Sequence, residues 1–190
     1  MNICYLQARG GSKRFPGKNL AIWRGVPMLG NAIRKAQHTK LFDIILVSSD
    51  DVHILRVAHN YGAVPMWRTP ENSSDTATDT DVAFEVLAAF PDANIVCKLY
   101  PCVPLLKHED IKHAFDLLVE HDLDGIYSVD AETGKDGGAF YIFRKAAFEE
   151  YESIALDSFP WIKYPLANCQ DINTPEDLEE AQTYVTIDLL

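Results

Sequence analysis

Short unbroken apolar runs alternate along the chain with longer stretches in which apolar residues recur every three or four positions. Ile3-Cys4-Tyr5-Leu6, Ile44-Ile45-Leu46-Val47 and the Asn94–Tyr100 stretch have the continuous apolar character of strands covered on both faces. Ala63-Val64-Pro65-Met66, Asp124 to Val129 and Gly138 to Phe143 add further strands. Between them, Met28, Leu29, Ala32, Ile33 and Ala36 keep helical spacing behind Pro27, a residue suited to a first helical turn. Ile54, Leu55, Val57 and Ala58 form the stripe of a second helix from about Val52 to Asn60, with Gly62 placed as its C′ stop. Helices are also expected over 82–90, 109–120 and 144–151. A last one is announced by a Thr174 cap, Pro175 at the first position and acids in the first turn, with a strand tail just before it at Gln170-Asp171. The alternation of four or five of these strands with helices predicts a three-layer α/β fold with a mostly parallel sheet, in a single domain over 1–190.

The first apolar run leads directly into Ala8-Arg9-Gly10-Gly11-Ser12-Lys13-Arg14-Phe15-Pro16-Gly17-Lys18-Asn19. A glycine-broken loop at the carboxyl end of a strand lies where open α/β sheets bind ligands. Gly10 and Gly11 permit positive φ, so that successive N–H groups could converge on an anion. Arg9, Lys13, Arg14 and Lys18 crowd into this stretch of a chain whose net charge is −11. A polyanion such as a nucleoside triphosphate would offset that repulsion; a solvated basic loop is the alternative reading. The stretch is not a Walker A loop, which needs glycine in place of Ser12 and Ser or Thr in place of Asn19.

Composition narrows the field. With 47% hydrophobic residues in 190, the chain can bury a substantial core. No run approaches a membrane span and no signal pattern opens the chain, so a soluble, cytoplasmic protein is expected. Cys4, Cys97, Cys102 and Cys169 lack CxxC pairing and read as buried thiols. An acidic balance of 28 to 17 without a basic stripe elsewhere argues against a nucleic-acid surface. His108-Glu109 and His113 do not make a zincin motif, because the histidines are one residue too far apart. Asp50 and Asp51 read either as a cap of the second helix or as ligands, and the polar Glu71–Asp81 loop either as solvent loop with an N-cap or as a specificity loop.

The loop, with Pro16 and Lys18-Asn19, resembles the signature of the acylneuraminate cytidylyltransferase family, whose members make CMP-activated nonulosonic sugars. The resemblance implies the nucleotide-diphospho-sugar transferase (Rossmann-like) topology, CTP and an acidic sugar as small-molecule substrates, and Mg2+ as cofactor. It assigns the catalytic role to Arg9 and Lys18, and nucleotide binding to Ala8, Gly10, Gly11, Ser12, Lys13, Asn19, Arg68, Ser74 and Thr76. Tyr100 falls in a turn that in relatives faces nucleotide and sugar, with Cys102 where they carry threonine; Tyr141, in the Gly137–Tyr141 strand, is the second sugar-side residue, and Asp136 matches an acidic member of that strand. Tyr100 and Phe140-Tyr141 are more similar to the pseudaminic branch than to the sialic one. In relatives an Asp-Ile-Asp pair binds the metal; here Asp171 keeps one carboxylate and Asn173 supplies an uncharged oxygen. Relatives also carry a longer excursion, which packs on a second subunit to form a homodimer, where this chain is trimmed near 130–137. Two other readings stand beside the transferase: a CTP-binding remnant or accessory subunit without turnover, and a same-fold nucleotidyltransferase for a smaller acceptor.

Overall fold

The computed structural model describes residues 1–184. In chain order it runs β1 (Asn2–Gln7), a short hairpin of β2 (Ile22–Trp23) and β3 (Val26–Pro27), α1 (Met28–Thr39), β4 (Ile44–Ser49), α2 (Val52–Asn60), β5 (Val64–Trp67) and α3 (Asp79–Ala89). It continues through β6 (Ile95–Leu99), α4 (His108–Glu120), β7 (Gly125–Asp130), β8 (Asp136–Arg144), α5 (Lys145–Tyr151), β9 (Trp161–Leu166) and α6 (Pro175–Thr183). The main sheet has seven strands in the order β5-β4-β1-β6-β8-β7-β9. All neighbouring pairs are parallel except those of β8, which runs against both β6 and β7. The cause is local: a turn over 131–135 is too short for a crossover and can only fold β8 back on β7 as a hairpin.

Alternation along the strands splits the core into two apolar layers. Cys4 and Leu6 pack with Leu29 and Ile33 of α1, Ile54 of α2, and Ile111 and Leu118 of α4. Ile3 and Tyr5 face the other way, toward Val82 and Val86 of α3 and Phe148 of α5. These layers make the predicted three-layer α/β arrangement. A smaller cluster of Trp23, Met28, Cys102, Ile172 and Leu178 fixes α6 against the hairpin of β2 and β3. Cys4, Cys97 and Cys102 are buried, and all four cysteines are free thiols. Among the described residues no helix is long and apolar enough to cross a membrane.

Several boundaries differ from the sequence reading. α3 begins at Asp79 rather than Val82, because Thr78 and Asp81 close a capping box at its start. Asp51 is the cap of α2, accepting from the His53 and Ile54 N–H groups. β9 escaped notice because Lys163 and Pro165 break its apolar pattern; it is an edge strand, where proline is tolerated. Gln170-Asp171 is irregular chain rather than a strand tail, tied down by the Ile172 N–H donating to the Cys102 carbonyl at 2.8 Å.

One tertiary contact links the helical layer to the loop after β6. Lys35 of α1 donates through Nζ to the carbonyls of Val103 (3.2 Å) and Pro104 (2.7 Å), and burial lowers its pKa to about 7. The unfolded chain still holds this proton above pH 7 while the folded chain releases it, so the stability contributed at this position rises with pH up to the unfolded pKa. Between pH 7 and 9 the wild type should therefore gain about 1–2 kcal/mol relative to Lys35→Met. Urea denaturation of both proteins at the two pH values checks this, and parallel curves would remove Lys35 as the cause.

Candidate active site

Parallel pairing brings the carboxyl ends of β1, β4 and β6 to one edge of the sheet, with Gln7 opposite Ser48 and Leu6 opposite Leu99. The segment after β1 folds over this edge. Gly10 donates its N–H to Asp50 Oδ1 at 2.8 Å, and a Cβ on Gly10 would lie 2.9 Å from the Asp51 Cβ. The loop is thus pinned to the start of α2, and glycine is needed for close approach. Neither Gly10 nor Gly11 has positive φ; within the loop that conformation belongs to Gly17 (φ 71°). The backbone cradle expected of Gly10-Gly11 is corrected accordingly: the Gly10 N–H is taken by Asp50 and the Ser12 N–H by the Gly10 carbonyl at 3.0 Å.

The cations do converge. Arg9, Ser12, Lys13, Arg14 and Lys18 line one cleft of about 510 Å3, together with Asn19, Arg68, Ser74, Tyr100, Asp171 and Asn173. Arg9 Nη1 donates to Asp75 Oδ1 (3.0 Å) and the Ser74 carbonyl (3.2 Å), and Lys13 Nζ to Asp75 Oδ2 (2.7 Å). On the far wall, Asn173 Oδ1 accepts from Arg14 (2.8 Å) and Lys18 (3.4 Å), while its Nδ2 donates to Asp171 Oδ2 at 2.8 Å. Asn19 is buried and spends both ends on structure: Nδ2 donates to the Arg9 carbonyl at 3.0 Å and Oδ1 accepts from Cys102 Sγ at 3.3 Å. Arg68, 2% exposed, donates to Ser48 Oγ (3.0 Å) and the Ser48 carbonyl (2.6 Å) from beneath the same cleft.

Other assigned residues stand apart from the lining. Ala8 is fully buried with its N–H on the Ser48 carbonyl (3.1 Å); Gly10 and Gly11 also lie outside it, and Thr76 lies beside Ser74 at 3.1 Å between hydroxyls. Tyr141 lines a second cavity of about 530 Å3, with Asp130, Lys135, Asp136 and Cys169, which meets the first at Tyr100 and Asp171.

Electrostatics distinguish the two walls. The Lys13 hydrogen bond, with the charges of Lys13 and Arg9, holds the Asp75 carboxyl below the usual carboxylate range. Burial raises Asp171 instead, against the opposing pull of Lys18. Burial pushes the Cys102 thiol up to about 12, so it stands in the cleft as a neutral S–H donor.

Over residues 3–141 the chain matches the cytidylyltransferase family. The chain belongs to that family. It is 29% identical over 219 residues to the pseudaminic acid cytidylyltransferase of Campylobacter jejuni, covering 95% of this chain and 94% of that protein. It is 34% identical over 140 residues to the N-acylneuraminate cytidylyltransferase of Streptococcus agalactiae, covering 73% of this chain and 34% of the relative. Its fold is similar to that of a CMP-2-keto-3-deoxy-manno-octonic acid synthetase solved with CTP, with a TM-score of 0.78 at 16% identity over 96% of this chain and 97% of that one.

Two charges of the cleft, and one beside it, have partners that the sequence does not show. Asp75, between Ser74 and Thr76, is the counter-charge of Arg9 and Lys13. Arg14, one of the four loop cations, holds Asn173 across the cleft. Lys98 is a lone cation in a strand buried at every position, and that anomaly was the available signal.

Asp75 competes with any bound anion for Arg9 and Lys13. The variant Asp75→Asn is expected to bind CTP about two- to fivefold more tightly at low salt, with the advantage fading near 0.5 M salt. Calorimetric titration at both ionic strengths decides it; weaker binding by the variant would mean that Asp75 preorganises the cations.

Proposed function

We propose that this cytidylyltransferase joins the CMP moiety of CTP to the anomeric hydroxyl of a nonulosonic acid and releases pyrophosphate. The observation that carries the reading is the convergence of Arg9, Lys13, Arg14 and Lys18 on one cleft that shares Tyr100 and Asp171 with the lining of a second cavity. The first is suited to a triphosphate and the second has room for a sugar. Relatives bearing pseudaminic and N-acylneuraminate names support this acceptor class. The second cavity also weighs against a remnant without an acceptor site.

Attack on the α-phosphorus is mainly a matter of positioning and of charge stabilisation. Arg9 and Lys13 hold the phosphate tail after leaving Asp75, and Lys18, on the opposite wall, offsets charge on the departing pyrophosphate. The Ser12 hydroxyl adds a neutral contact. Asn19 serves the nucleotide indirectly, by fixing the backbone of Arg9.

The residues at Asp171 fit a magnesium ion. Its carboxyl lies within the field of Lys18, and Asn173, once released by Arg14 and Lys18, adds an amide oxygen two residues on. Among the described residues no three His, Cys, Asp or Glu side chains gather into a metal cluster, so the ion would be shared with phosphate oxygens and water. When bound, it supplies charge neutralisation and polarises the phosphate. The short turn over 131–135 is read as the trimmed counterpart of a longer excursion; an alignment over 219 residues against a chain of 190 supports that reading.

Pyrophosphate release with CTP, magnesium and a panel of nonulosonic acids tests the proposal: release with one acid establishes it and names the acceptor, whereas CTP binding without release for any acid overturns it. In the active pairing Lys18→Ala should lower kcat by about 100-fold or more, with an unchanged melting temperature. Near-normal turnover would remove Lys18 from the mechanism.

A further inference from the structure

Lys98 lies in β6, whose five residues are all buried, and its side chain is 1% exposed. A buried ammonium is costly unless paired, and an apolar residue would fill the strand at lower cost. Here it is paired on every side. It forms an ion pair with Asp79 at the start of α3, donates to the Tyr100 hydroxyl at 2.5 Å, and lies 4.3 Å and 4.8 Å from the ring centroids of Tyr100 and Tyr141. The Tyr100 hydroxyl in turn donates to Asp79 Oδ2 at 2.8 Å, closing a triangle, and Gln7 hydrogen-bonds the same carboxylate.

The triangle uses the one proton of the Tyr100 hydroxyl on Asp79 and one of its lone pairs on Lys98. The hydroxyl therefore points at the Lys98–Asp79 pair, and the ring is the surface that Tyr100 offers to the cavities. Among the described residues, Tyr100 and Asp171 are the two common to the linings of both cavities. Both residues stand at the boundary of the two cavities, so a group held in the second adjoins the nucleotide there.

We propose that Lys98, acting with Asp79, is a positioning residue that sets where the Tyr100 ring stands between the two cavities, and thereby which acceptor reaches the nucleotide and at what angle. This rests on the reading that the second cavity receives the acceptor. The device is electrostatic at its root and steric at its surface: a charge pair that never touches the substrate fixes a wall that does.

The test compares Lys98→Met, Tyr100→Phe and the double variant, using the acceptor that the wild type turns over. Each single change should lower kcat/KM for the acceptor about tenfold or more while the Kd for CTP stays within about twofold, and the double variant should be no worse than the poorer single one. Effects that add, or a lower melting temperature with unchanged kcat/KM, overturn the proposal. If Lys98→Met does not fold, Asp79→Asn, whose side chain is half-exposed, takes its place with the same expected pattern. Crystal structures of these variants give a readout independent of any acceptor: the Tyr100 ring should leave its position, and an unmoved ring overturns the proposal. Failure of the wild type to release pyrophosphate with every acid would instead overturn the acceptor class, leaving the ring position to decide the role of Lys98.

Discussion

The parallel pairing of β1 with both β4 and β6 is the constraint from which the rest of the molecule follows. Because these strands end at one edge, residues far apart in the chain are delivered to one level: the cationic loop after β1, the Asp50-Asp51 pair after β4 and the Tyr100 turn after β6. Parallel strands need crossovers, so helices must cover the sheet, and the two apolar layers are the result. The candidate site thus lies at one edge because the topology brings these strand ends there.

The cleft also keeps its cations occupied. Arg9 and Lys13 rest on Asp75, while Arg14 and Lys18 rest on the amide oxygen of Asn173. The two walls differ in kind, one held by a full charge and the other by a dipole. A ligand must displace a carboxylate on one wall but only an amide on the other, so the second pair is more readily turned toward a phosphate. Exchange of an aspartate for Asn173 would give that wall a competing charge, and the present residue leaves Lys18 freer to act.

Much of this was legible in the sequence. Strands with unbroken apolar runs, such as Ile44 to Val47, were found because burial on both faces leaves no room for polar residues. The Thr174 cap, and Asp51 as one of two candidates for the other, are legible because capping is chemistry local to a few residues. The cationic loop and Asp171 were placed by a long motif, and the structure brings both to one cleft. What was missed depends on partners distant in sequence. β9 is strand-like only through its pairing with β7, and Asp75 is a counter-ion only because the fold sets it beside Arg9 and Lys13. The conformation of Gly10 was misjudged for the same reason: its constraint is a carboxylate 40 residues away rather than its own φ.

The link between Arg14 and Asn173 spans 159 residues of chain and fastens the two walls of the cleft to each other. Contacts of that separation form only after the intervening sheet has been assembled, since loop-closure entropy must be overcome first. Arg14 and the Asn173 amide are therefore joined only where the elements between them hold their ends together. An incompletely folded chain would carry a cluster of unscreened positive charge without its opposing wall. The complete site thus reports on the parts of the domain that hold β1 and the start of α6 in register with each other.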